Sequence, residues 1–141
     1  MADGLQTIVD LLNNNWDNAN TDSITPTISK IFNKKRVGGL GGVVTYIGVY
    51  SPAASNENPI DFGYNTVERI EFQTVDIRTS NSYSHVLNCK DEVKRILRAN
   101  RKSVSGFDEV VVRRINDLSD ATRNLWRFVL DIELKVYAEA L

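Results

Sequence analysis

Residues 126–136 read Trp126-Arg127-Phe128-Val129-Leu130-Asp131-Ile132-Glu133-Leu134-Lys135-Val136. Trp126, Phe128, Leu130, Ile132, Leu134 and Val136 alternate with a second set that is mostly charged, so a strand here buries one face and wets the other. That pattern belongs to an antiparallel sheet covered on one side. Val129 and Tyr137 sit among the charges. Partial cover of the outer face is one explanation, and a subunit contact would supply it.

Reading outward, Phe107–Asn116 is a second extended stretch that pairs with this strand as a hairpin through Asp117–Asn124. Before it, Tyr83–Lys102 predicts an amphipathic helix. Val86, Cys89, Val93, Ile96 and Leu97 share one face, and Lys90, Asp91, Lys94, Arg95 and Arg98 lie mostly off it. Val67–Thr79 predicts a long strand with a change of phase. Ile70 and Phe72 are apolar on one parity, Val75 and Ile77 on the other, and a bulge near Gln73–Thr74 would reconcile them. Ser51–Tyr64, with Pro52, Asn56, Asn58, Pro59 and Gly63, reads as a long exposed loop. Val43–Tyr50 is β-branched and aromatic and predicts a strand, while Thr27–Lys35 after Pro26 fits a strand or a short helix. Residues 4–15 form an amphipathic helix on Leu5, Ile8, Val9, Leu11 and Leu12, capped by Asp3 and stopped by the run Asn13-Asn14-Asn15. The expectation is a single α+β domain over 1–141: an antiparallel-rich mixed sheet with two main helices packed on one face.

Composition narrows the class. In 141 residues, 17 Lys+Arg stand against 18 Asp+Glu, for a net charge of −1, with 42% hydrophobic and 25% charged residues. These are globular values. No apolar run approaches the ~20 residues of a membrane helix, and the amino end lacks a signal-peptide pattern. One cysteine, Cys89, excludes an internal disulfide and any multi-cysteine zinc site. None of the 14 asparagines begins a glycosylation sequon. An intracellular protein is expected. The charge is unevenly spread: −3 over 1–33, zero over 34–89, +4 over 90–114 and −2 over 115–141. The basic block holds Lys94, Arg95, Arg98, Arg101 and Lys102 on the helix, then Arg113 and Arg114 on the next strand. Some of this complements the helix dipole. As a surface it would meet an acidic one, and a neighbouring copy fits better than nucleic acid because stacking aromatics are scarce around it.

Three motifs invite chemistry. Gly38-Gly39-Leu40-Gly41-Gly42 lacks the Lys-Ser/Thr of a phosphate loop, and Val44 spoils a dinucleotide fingerprint, so it reads as a flexible hairpin tip. His85 and Cys89, four apart on the helix, have the spacing of a base and a nucleophile. No orienting third group is apparent, and Cys89 falls on the apolar stripe, so it reads as structural. Glu133-Leu134-Lys135, with Asp131 or Asp108, has the arrangement of a Mg²⁺-dependent nuclease of the restriction-endonuclease type. Alternating charges are equally what a solvated strand face carries. No metal or cofactor is expected.

Val75-Asp76-Ile77-Arg78-Thr79 running into a helix with Glu92-Val93-Lys94-Arg95-Ile96-Leu97, closed by the strand Leu125–Ile132, resembles the tail terminator and tail-completion proteins of long-tailed bacterial and archaeal viruses. The resemblance spans most of the chain. It implies a structural virion protein without enzymatic activity. Such a protein forms a hexameric ring at the head-proximal end of the tail tube, ends tube polymerisation and presents the docking surface for the head or neck. The implied partners are another copy of the chain, the tail tube protein and the head or neck completion protein, with no membrane and no sequence-specific nucleic acid. The ring would use two complementary patches. Asp10, Asp17 and Asp22 are candidates on one side, and Arg95, Arg98, Arg101 and Lys102 on the other. Gly39 and Gly41, with Asn56, Glu57 and Asn58, are candidates for docking to the tail or neck. Arg78 reads as a local ion pair with Asp76. The alternatives are the nuclease built on Asp131, Glu133 and Lys135, and a non-viral intracellular adaptor.

Overall fold

The computed structural model describes residues 4–30, 45–51, 56–59 and 66–139. In chain order they form α1 (Gly4–Asn15), β1 (Thr27–Lys30), β2 (Thr45–Tyr50), β3 (Asn56–Pro59), β4 (Thr66–Thr79), α2 (Tyr83–Ala99), β5 (Glu109–Asp117) and β6 (Trp126–Glu139). The sheet runs β1-β2-β4-β6-β5, with β3 also paired to β4. Only β1–β2 is parallel. The molecule is the expected α+β fold, and among the described residues no helix is long and apolar enough to cross a membrane.

Both helices lie on one face. Ile8, Val9 and Leu12 of α1 and Val86, Cys89, Val93, Ile96 and Leu97 of α2 share one core with Ile47, Val49, Val75, Ile77, Leu130, Ile132 and Leu134 of the sheet. α1 covers the β1–β2 end, and α2 covers β4, β6 and β5. Gly4 permits a close approach of α1 to β4: a Cβ there would lie 2.5 Å from Glu71 Oε1. Asn15 ends α1 by turning its side-chain amide onto the Leu11 carbonyl at 2.8 Å. Ser82 caps α2, its hydroxyl accepting from the His85 amide at 3.1 Å. α2 stops at Ala99, three residues short of the expected Lys102, because the Asn100 side chain takes the Ile96 carbonyl.

Two expectations change. β4 carries no bulge; it pairs with β6 in unbroken register from Thr66↔Glu139 to Thr79↔Trp126. Ile70 and Phe72 instead fall on the face opposite the helices, where Ile70 is buried. The bulge lies in β5, between Val112 and Arg114, and aligns Val110 and Val112 with Ile115 on the inner face. The segment 51–64 is not wholly loop either. β3 follows β2 along the same edge of β4, pairing Asn56↔Ile70 to Pro59↔Val67. The glycine cluster at 38–42 and Asp3 lie outside the described residues. β5 and β6 pair as the expected hairpin.

Candidate functional site

Among the described residues the sheet ends on β1 at one side and β5 at the other. The uneven charge of the chain maps onto these ends only in part. The basic block flanks β5, but of the candidate acids only Asp10 stands on α1 beside β1; Asp17 and Asp22 lie against α2, at Glu92 and at His85 and Asn88. A groove of about 310 Å³ between α2 and β5 is lined by Lys94, Arg98, Val112, Arg113, Arg114 and Ile115. Four cations and no carboxylate line it. It continues toward the loop after α2 along Leu97, Arg101 and Val110.

The candidate interface residues divide into engaged and free. Asp17 caps the short 3-10 turn Asn18–Asn20 by accepting from the Ala19 amide. Asp22 bonds His85 and Asn88, and Asp10 accepts from Gln6 at 2.7 Å. Arg95 is held by Glu92 at 2.6 and 2.7 Å and donates to the Asn15 carbonyl at the end of α1. Arg101 pairs with Glu109 at 2.9 Å. Arg98 and Lys102 are exposed, as is Asp10. Asn56, Glu57 and Asn58 are strand residues of β3, and Gly39 and Gly41 lie outside the described residues.

The outer face of the sheet, away from the helices, is an ion-paired surface. Asp76 is fully buried; Arg127 bonds both its oxygens at 3.0 and 2.8 Å, and Arg78 joins at 3.3 Å, the local pair expected there. A concavity of about 500 Å³ holds Asp131 and Glu133. Arg114 lies 3.3 Å from Asp131, Arg113 lies 3.2 Å from Glu133, and Thr74 donates to Asp131. Both carboxylates therefore already face guanidinium groups. Lys135 is 3.9 Å from Glu133, and Asp108 is taken up by the Tyr137 amide at 2.7 Å. Among the described residues no three His, Cys, Asp or Glu side chains are grouped to hold a metal. The nuclease spacing is present, with the electrostatics of a paired strand face.

His85 does have an orienting group, which the sequence reading lacked: Asp22 Oδ2 meets Nδ1 at 2.8 Å. Across the ring, Nε2 meets Thr45 Oγ1 at 2.8 Å and Cys89 Sγ at 3.6 Å. Thr45 in turn reaches Thr79 at 3.1 Å. The order acid–base–nucleophile is there, but access is reversed. Asp22 is exposed, while His85, Thr45 and Cys89 are buried. Burial above all, aided by the Asp22 and Glu92 carboxylates, pushes the Cys89 thiol up to about 12. A nucleophile needs a thiolate and a path to substrate; this cluster instead ties the turn after α1 to α2, β2 and β4. Asp22 and Ser23 both adopt left-handed φ, 56° and 61°, and the bonds from His85 and Asn88 hold that strained turn.

No known family model matches the chain, and a search of curated proteins finds no match.

Proposed function

We propose that this chain is a structural virion protein of the tail-terminator or tail-completion kind. It forms a ring by head-to-tail contact at the head-proximal end of the tail tube, ends tube growth and offers a docking surface to the head or neck. The observation that carries the reading is the basic groove between α2 and β5, whose Lys94 and Arg98 have no ion-pair partner among the described residues. A ring requires two different, mutually complementary patches on each subunit. The α2–β5 end supplies one such patch, and the exposed Asp10 on α1, toward the other end of the sheet, marks the other. Further support comes from the outer face, where among the described residues no helix packs although the half-buried Phe72 and the exposed Tyr137 lie on it.

The reading assigns the protein no reaction. Its test is the mass of the purified protein across protein and salt concentrations, beside the charge reversal Arg98→Glu with Lys102→Glu. Among the described residues these two exposed positions carry no ion pair, so the fold is left intact. Self-association of the wild type that salt and the variant both weaken is the expected result. A monomer at every concentration would favour the adaptor reading, and plasmid cleavage with Mg²⁺ that Glu133→Ala abolishes would favour the nuclease.

A further inference from the structure

We propose that the ring contact is a strand-to-strand continuation of the sheet: β5 of one subunit pairs antiparallel with β1 of the next. This rests on the ring reading and adds the surface through which it acts. Three observations lead to it.

The first is backbone supply. Val110 N–H points away from β6, donating to the Arg101 carbonyl at 2.8 Å. Alternation along the strand then turns the Val112 amide the same way. Past the bulge, Leu118 N–H bonds the Arg127 carbonyl of β6. Counting back in twos, Arg114 and Asn116 face β6, and the Ile115 amide faces outward. β5 thus offers outward groups from Val112 to Asp117, and among the described residues no strand takes them. At the far end β1 is, among the described residues, the terminal strand, and its four residues match the length of that stretch.

The second is direction. β1 is parallel to β2, β4 antiparallel to β2, β6 antiparallel to β4 and β5 antiparallel to β6. β5 and β1 therefore run oppositely within one chain. A second copy placed edge to edge, helices on the same side, presents β1 to β5 in antiparallel sense.

The third is charge. α1 packs over β1 and α2 flanks β5 on the same sheet face. Joining the edges brings the neighbour's α1, with its exposed Asp10, toward the edge that carries Lys94 and Arg98. A bulge and edge cations are also how natural edges resist pairing. That accounts for Arg113 and Arg114, which neutralise Glu133 and Asp131. It does not account for Lys94 and Arg98, which come from the helix and have no ion-pair partner among the described residues.

The experiment places one cysteine at each edge, Thr27→Cys and Arg114→Cys, and treats the full-length protein with a short bismaleimide. Thr27 and Arg114 are exposed and lie on the same sheet face, whereas Cys89 is buried. A cross-linked ladder is expected from the double variant, with no product beyond a dimer from either single variant. Adding Lys94→Glu and Arg98→Glu should reduce the ladder by about tenfold or more, given desolvated charge pairs across the contact. Rings by microscopy without a ladder would overturn the strand pairing and leave the ring reading standing. A monomer that the reagent does not link would overturn both. Binding of polyglutamate by a non-associating protein would also overturn the proposal, assigning the groove to a different acidic protein.

Discussion

Glu92 is 2% exposed on α2 and still ionised at neutral pH. Burial works against its charge, but the Arg95 guanidinium, the Asp17 amide at 2.7 Å and Asn20 at 3.0 Å outweigh that and hold its carboxyl below the ordinary 4.5. The contribution to stability is therefore complete above the unfolded value and lost as pH falls through the lower folded one. Glu92→Gln should cost about 1–3 kcal/mol near neutral pH, because the Asp17 amide and Asn20 lose a charged acceptor while the guanidinium left behind on Arg95 is exposed. Denaturant midpoints measured against pH should show the difference shrinking below the ordinary carboxylate range; a pH-independent difference would contradict this account. Cys89 makes a second test. A thiol reagent at mildly alkaline pH should label it only after unfolding, and rapid labelling of the native protein would reopen the nucleophile reading.

At the scale of elements, the buried Asp76 joins β4 to β6 on the face without helices, through Arg127 and Arg78. Asp76→Ala leaves two guanidinium groups facing each other and should destabilise by about 3–5 kcal/mol, read by chemical unfolding. Asp76→Ala combined with Arg127→Leu should recover part of that loss, because an apolar replacement removes the unpaired charge as well. The strands and helices with strong periodicity were legible in the amino-acid sequence, β6 above all. β3 was not, because Asn56-Glu57-Asn58-Pro59 has no apolar alternation and is a strand only through its pairing with β4. The phase change at 70–77 was visible but admitted two explanations, a bulge or apolar residues on both faces, and only the register with β6 decides between them. The corresponding signal in β5 is the change from the even-numbered Val110 and Val112 to the odd-numbered Ile115. The Asp22–His85 bond spans 63 residues and leaves no local pattern. The candidate interface was legible as charge blocks; which residues are spent internally, Arg95 and Arg101 among them, depends on tertiary neighbours.

For the whole molecule, the near-neutral total of −1 conceals an uneven surface, with the exposed Asp10 on α1 toward the β1 end and, at the β5 end, Lys94 and Arg98 without ion-pair partners among the described residues. Self-attraction between such ends is screened over about 10 Å at ~0.1 M salt, so assembly should weaken as salt rises. Exposed pairs alone contribute little, and the strand edges would have to carry the rest. The most direct test is negative-stain microscopy of the purified protein at low salt, with its mass measured on the same sample. The account predicts closed rings of about six 15.9 kDa subunits, near ~95 kDa. A uniform 15.9 kDa monomer under those conditions would contradict it.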